Sequence, residues 1–393
     1  MKVLFFIPKP RISLPMLLRL LSFAFLITFS LPSLAQITFR ITSWPASMPM
    51  NDPIYVAGNF NGWQPGLAEY RVQPRADGSY SLTLPSTTGR LEFKFTRGTW
   101  DTEEVDGDGQ VIPNRRWEVT GEATQDFAIA GWKDLDGVAT ATPSTASDRV
   151  LVWQEAMDVP QLGRERRVWV YLPHGYEEGN QHYPVLYMHD GQNLFDAATG
   201  FAGEWSVDEL LDSLQLPLIV VGVDNGGEHR INEYTPYRNA RRGDGGEGTA
   251  YVQFVVETLK PKVDAAFRTR PEAEHTAIMG SSLGSLISLH AAIEYPETFS
   301  KLGLLSSALW INRSDIFRDL EGYDPTFPVR AYVLIGRREG PDMVMDSKRL
   351  DKELREKDML TVAYLEVPQG EHNEALWRTN MLAVLQHLYP ELF

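Results

Sequence analysis

The sequence predicts a chain in two parts: a small all-β, immunoglobulin-like sandwich, then an α/β unit with a mainly parallel sheet and helices on both faces. Three observations carry this. From residue 37 to about 131, short alternating apolar–polar runs are separated by turn chemistry, with almost no helical period. From residue 149 onward, continuous apolar strands alternate with helical stretches, as in a sheet buried on both faces. Between them, residues 138–147 are small and uncharged, a composition typical of linkers. At 393 residues the chain is also too long for one ordinary core.

The first 35 residues are a separate element. Lys2, Lys9, Arg11 and Arg19 precede an apolar run, Leu20–Ile27, and then Ser33-Leu34-Ala35. Positive start, apolar stretch and small residues are expected to form a secretory signal peptide cut before Gln36. The run is short for a membrane span, so no stable span is expected after cleavage. Removing four positive charges takes the formal net charge from −15 to −19. Such an acidic protein is a poor partner for nucleic acid or anionic membrane. With no cysteine, disulfides, thiolate metal sites and a thiol nucleophile are excluded. An exported, periplasmic or extracellular, protein of this composition must be held by core packing.

The β part is expected over 36–132. Thr38–Thr42, Ile54–Ala57, Tyr80–Leu84 and Leu91–Phe95 read as strands, with turns at Ala76-Asp77-Gly78 and Asp106-Gly107-Asp108-Gly109. A linker is expected over 133–148 and the α/β part over 149–393. Its strands are expected at 167–172, 184–188, 218–223, 276–279, 302–305, 331–335 and 362–367, with an amphipathic helix over 249–267.

Gly280-Ser281-Ser282-Leu283-Gly284 follows a buried strand and opens a helix. Glycines on both sides let the chain turn sharply and thrust Ser282 out at the sheet edge. The following amide, Leu283, then becomes one donor for a developing oxyanion. A serine nucleophile needs a base, expected after the last strand. His372, in Pro368-Gln369-Gly370-Glu371-His372, stands there. The acid belongs after the strand ending at Ile335-Gly336. Glu339 and Asp342 are the candidates, Glu339 preferred, with Asp346 farther off. The loop His189-Asp190-Gly191-Gln192 offers the second oxyanion donor, Gly191 or Gln192. Arg230 and Glu233 are candidate substrate contacts at the cleft rim, with a structural ion pair as the alternative. Trp205 is expected beside the site. No cofactor and no metal site is evident; Asp106, Asp108 and Gln110 lack the full spacing of a calcium loop.

Tyr187–Asp196, Glu233–Pro236, Gly280–Gly284 and Gly370–His372 together resemble the α/β-hydrolase family of esterase D, enterochelin esterases, feruloyl and acetyl-xylan esterases and mycolyltransferases. The resemblance covers about residues 149–393, and Asp190–Asp196 is its most specific run. It implies a Ser–acid–His site hydrolysing carboxylic esters, the acid partner being weak in some members. Val56–Trp63, Phe93–Trp100 and Ile112–Arg115 resemble starch- and glycogen-binding modules. That resemblance implies a carbohydrate platform of Trp63 and Trp100, with Lys94 and Asn114 as polar contacts; alternatively both indoles are core. The expected partner is an ester substrate, with a polysaccharide-linked ester as one option. An acyltransferase with a sugar acceptor and a non-catalytic carbohydrate-binding protein are the competing readings.

Overall fold

The computed structural model describes residues 36–49, 52–85, 89–137, 143–200, 203–239 and 243–393. The expected signal peptide and residues 138–142 of the expected linker lie outside these. The chain divides between residues 138 and 139 into two compact units.

Among its described residues the first unit holds nine strands: β1 (Gln36–Ser43), β2 (Tyr55–Gly58), β3 (Gln73–Pro74), β4 (Tyr80–Pro85), β5 (Gly89–Thr96), β6 (Glu104–Val105), β7 (Arg115–Val119), β8 (Ala123–Ala128) and β9 (Gly131–Trp132). They form sheets β3-β4-β1-β8, β2-β5-β7 and β6-β9. The alternation in β1 explains why it pairs and packs. Ile37, Phe39 and Ile41 point inward and are fully buried, while Thr38 and Arg40 point outward. Phe39 meets Phe93 of β5 at 4.9 Å and Trp117 of β7 at 5.1 Å, both edge to face. The two larger sheets therefore share one aromatic core. Each such ring contributes about 1.5–3 kcal/mol through burial alone.

The second unit is built on an eight-stranded sheet, in the order β10-β11-β13-β12-β14-β15-β16-β17. Its strands are β10 (Val150–Val159), β11 (Arg164–Tyr171), β12 (Val185–His189), β13 (Ile219–Val223), β14 (Thr276–Ser281), β15 (Lys301–Leu305), β16 (Val329–Gly336) and β17 (Leu360–Val367). The pairs β10–β11 and β11–β13 are antiparallel; the other pairs are parallel. Successive residues of the central strands feed opposite cores. Val185 and Tyr187 of β12 pack on one face, Leu186 and Met188 on the other. This two-sided burial is why these strands read as unbroken apolar runs.

The helices are α1 (Val207–Leu214), α2 (Arg230–Glu233), α3 (Gly248–Gln253), α4 (Lys260–Ala266), α5 (Leu283–Glu294), α6 (Arg313–Gly322), α7 (Pro341–Arg355) and α8 (Glu374–Leu388). The single helix expected over 249–267 is interrupted. Phe254–Leu259, between α3 and α4, takes the wider π-helical turn. It runs up to Pro261, which lacks an N–H and whose ring disturbs the four-residue ladder. Strand β10 was not anticipated. It is an edge strand whose register shifts twice against β11, and that blurs its alternation.

Candidate active site

The site lies at the carboxyl ends of the parallel strands, where the loops after β12, β14, β15, β16 and β17 converge. Ser282 sits between β14 and α5, with φ 56° and ψ −119°. A non-glycine residue resists this conformation, so the turn is strained. The glycine two residues before Ser282 is sterically required. A Cβ on Gly280 would stand 2.6 Å from the Gly284 carbonyl carbon. The Ser282 N–H donates to Leu305 O at 3.0 Å, and its carbonyl accepts from Ala308 N at 3.1 Å, fixing the turn to the end of β15. The Leu283 N–H opens α5 and has no carbonyl four residues back within that helix.

The loop after β12 packs on the first turn of α5. A Cβ on Gly284 would meet Asp190 Oδ2 and His189 Cβ, each at 3.3 Å. Asp190 adopts the left-handed conformation, φ 58°. Its carboxylate accepts two hydrogen bonds from Arg230, at 2.7 and 2.9 Å, and one from Asn225 Nδ2 at 2.7 Å. Burial pushes the Asp190 carboxyl up, but Arg230 and Asn225 outweigh it and hold it below the usual carboxylate range. Gln192 is tied at both ends: Oε1 accepts from Asn225 N and its carbonyl from Thr199 Oγ1. Gly191 admits no side chain, since a Cβ would lie 2.8 Å from the Gly222 carbonyl carbon.

His372 Nδ1 lies 2.6 Å from Glu339 Oε2. The other oxygen, Oε1, accepts from Ser306 Oγ and from Gly336 N, both at 2.7 Å. Ser306 Oγ in turn accepts from Trp377 Nε1 at 2.9 Å. The Glu339 carboxylate is fully buried and has donors on both oxygens. Asp342 is exposed at the start of α7. Trp377 lies edge to face on His372, centroids 5.4 Å apart, and Trp205 packs on Trp377 at 5.4 Å.

Four expected residues are thus brought to one end of the sheet: Ser282 with Leu283, and His372 with Glu339. Arg230 is near them but spends its guanidinium on Asp190, so it orders the loop. Glu233 is not at a rim. It is fully buried, bonded to Arg164 at 2.7 Å and to Arg166, where it joins α2 to β11. Ser306 and Trp377 were missed; a serine after one strand and a tryptophan five residues beyond the histidine carry no motif. Ser306 is marked only by its backbone, φ 49°.

In the first unit, Asn61 builds the turn that presents Trp63. Its Oδ1 accepts from Gly58 N at 2.8 Å and its Nδ2 donates to Val56 O at 2.9 Å. Trp63 and Trp100 are half-buried, outside the aromatic core, with ring centroids 6.3 Å apart and planes tilted by 39°. Asn114 is half-buried. Lys94 is not a surface contact: it is 5% exposed and pairs with buried Glu103 at 2.5 Å. The strand alternation that sends Phe93 and Phe95 into the main core turns Lys94 to the other side, where Glu103 covers it. The Asp106–Gln110 turn is closed by Asp106 Oδ1 accepting from Asp108 N and Gln110 N.

The chain is 29% identical over 209 residues to the uncharacterized protein YbbA of Bacillus subtilis, covering 49% of this chain and 79% of that one. It is 38% identical over 105 residues to an alpha-amylase of Niallia circulans, covering 26% of this chain but 8% of the amylase, and this match falls in the N-terminal region. Among solved structures, the enterobactin esterase FES of Shigella flexneri superposes with a TM-score of 0.50 at 17% identity, over 87% of this chain and 89% of that one, a likeness of fold. Residues 160–388, more than half of the chain, match the family model described as "Putative esterase". The chain belongs to this esterase family, and it is a carboxylic ester hydrolase.

Proposed function

We propose that the chain is an exported serine esterase working through an acyl-serine intermediate, with Ser282 as nucleophile, His372 as base and Glu339 as acid. The observation that carries this is the bond of 2.6 Å between His372 Nδ1 and a fully buried Glu339 carboxylate. A carboxylate there holds the imidazole in the tautomer whose Nε2 can take up a proton, and it stabilises the charged ring. His372 takes the Ser282 hydroxyl proton as Oγ attacks the ester carbonyl carbon. The carbonyl oxygen becomes an oxyanion between the N–H groups of Leu283 and of Gly191 or Gln192. The C–O bond to the alcohol then breaks, and His372 returns the proton to the leaving oxygen. Water, deprotonated by His372, attacks the acyl-serine, and the acid departs as Ser282 regains its proton.

The substrate is proposed to be an acyl ester linked to carbohydrate. What supports this is the likeness of the N-terminal region to part of an amylase, together with the paired indoles Trp63 and Trp100. In this reading residues 1–35 are a signal peptide, 36–132 a carbohydrate-binding module, 133–148 a linker and 149–393 the catalytic domain. The test is hydrolysis of aryl esters from acetate to octanoate, and of methyl ferulate, by wild type and Ser282→Ala. Turnover lost in the variant establishes the nucleophile, and the chain-length profile gives the acyl group. Equal turnover by both proteins overturns the assignment.

A further inference from the structure

The second unit contains an acidic cluster that the ester chemistry does not use. Glu204, Asp208 and Glu209 each offer a carboxylate oxygen within 4.8 Å of the other two, the one such group among the described residues. Carboxylates this close repel unless a proton or a cation lies between them.

A second feature of the same place points to a ligand. Asp208 is fully buried and Glu204 is 6% exposed, yet Asp208 Oδ1 and Glu204 Oε1 are shut off from solvent and accept no hydrogen bond. Their partner oxygens are satisfied: Ser147 N donates to Asp208 Oδ2 at 2.8 Å, and Thr145 Oγ1 donates to Glu204 Oε2 at 2.7 Å. A buried anion normally uses every lone pair it can, so two orphaned carboxylate oxygens in one cluster call for an electrophile. Among the described residues, no basic side chain forms an ion pair with any of the three carboxylates. The donor set is oxygen only, with no histidine and no thiolate, which suits a hard cation and disfavours zinc or copper.

We propose that Glu204, Asp208 and Glu209 bind a calcium ion, with Asp208 Oδ1 and Glu204 Oε1 as inner ligands and Glu209 closing the site from solvent. The position gives the ion a structural task. Ser144, Thr145 and Ser147 are held to this face by Asp196, Glu204 and Asp208, so the ion stiffens the segment that enters the unit. Glu204 O also accepts from Arg378 of α8 at 2.6 Å, and the next residue, Trp205, packs on Trp377. Calcium therefore braces the wall behind His372 without touching the reacting atoms. This inference does not depend on the acyl-serine reading.

The test is calcium titration of the full chain, freed of metal with a chelator, followed by calorimetry and thermal unfolding at neutral pH. One calcium per chain is expected, with a melting temperature raised by about 5 °C at hundredfold excess over the dissociation constant. Glu204→Gln combined with Asp208→Asn removes both the heat and the shift. Asp106→Asn combined with Asp108→Asn, in the acidic turn of the first unit, leaves them in place. Should the first double variant fail to fold, Glu209→Gln, an exposed change, is expected to weaken binding at least tenfold. No calcium heat in wild type, or heat unchanged in the variants of the cluster, overturns the proposal. Magnesium at the same concentration is expected to bind more weakly, because it demands octahedral geometry and sheds water reluctantly.

Discussion

Ser306 donates its hydroxyl proton to Glu339 Oε1 at 2.7 Å, while Trp377 Nε1 donates to the Ser306 oxygen. The hydroxyl thus passes a fixed dipole from α8 to the buried carboxylate facing His372. Removing it leaves Glu339 with the Gly336 N–H alone on that oxygen. A hydrogen bond to a charged group is worth about 1.5–3 kcal/mol. Ser306→Ala is therefore expected to lower kcat at least about tenfold with KM little changed, since the bond holds the base and not the substrate. Glu339→Gln is expected to cost about 10³–10⁴, because the neutral amide no longer stabilises the imidazolium. Steady-state kinetics on an aryl ester check both. A Ser306→Ala enzyme with unchanged kcat would show that Ser306 only packs.

Ser282 stands at φ 56° and ψ −119°, a region that glycine enters freely and alanine does not. Neither Ser282→Gly nor Ser282→Ala can form an acyl-enzyme. They differ in stability: the glycine variant is expected to exceed the alanine variant by about 1 kcal/mol, after its greater unfolded-state entropy is subtracted. Urea denaturation of the two inactive proteins measures this. If alanine proves equal or better, the turn stores no strain.

Much of this site was legible in the sequence because the constraint sits in glycine spacing and strand order. Gly280 precedes Ser282 since a Cβ there would strike the Gly284 backbone across the turn, and Gly284 allows close packing on Asp190 and His189. His372 could be placed because it follows the last strand, and Glu339 because it follows the strand before. Glu233 and Lys94 are both buried ion-pair residues, the alternative already open for Glu233. Position after a strand suggests the rim for Glu233, and the module resemblance implies a surface contact for Lys94, whereas each is buried against a partner, Arg164 and Arg166 for Glu233 and Glu103 for Lys94. Ser306 and Trp377 were invisible because their roles depend on three loops meeting, and β10 because its register shifts break the period of two.

Gly191 tests the oxyanion loop. A Cβ there would lie 2.8–2.9 Å from the backbone of Gly222 and Val223, both at the end of β13, which cannot yield easily inside a buried sheet. Gly191→Ala is expected to push the loop away from Ser282, lowering kcat about 10²–10³, the loss typical of one oxyanion donor. KM is expected to change less than threefold. A variant that loses KM instead would place Gly191 at the substrate and remove it from the oxyanion.

The indole pair of the first unit makes a separable prediction. Trp63 and Trp100 lie outside the aromatic core, so truncating either spares the fold. If they form a stacking platform, Trp63→Ala or Trp100→Ala weakens retention on soluble starch in affinity electrophoresis about tenfold, as expected for loss of one aromatic face. Hydrolysis of a small aryl ester stays at the wild-type rate. Retention unchanged in both variants excludes these indoles as the sugar contact.

Two buried histidines give the fold a dependence on pH. Burial lowers the pKa of His290 to about 4, and burial also takes His189 to about 4 despite the Asp190 charge beside it. Both stand at 6.5 when unfolded. The unfolded chain therefore binds their protons first as pH falls. The stability each provides is whole above pH 6.5 and drains away between 6.5 and 4, on the order of 2 kcal/mol per histidine already lost at pH 5. Buried carboxyls with raised pKa, such as Asp224, shifted by burial to about 6, act in the opposite sense over the same range. The histidine share is isolated by His290→Gln, whose amide can keep the bond that His290 Nε2 makes with Thr249 Oγ1 at 3.2 Å. Urea denaturation at pH 7 and pH 5 is expected to show the wild type losing about 2 kcal/mol more than the variant on acidification. Equal losses would mean that His290 takes up its proton as readily in the folded chain as in the unfolded one.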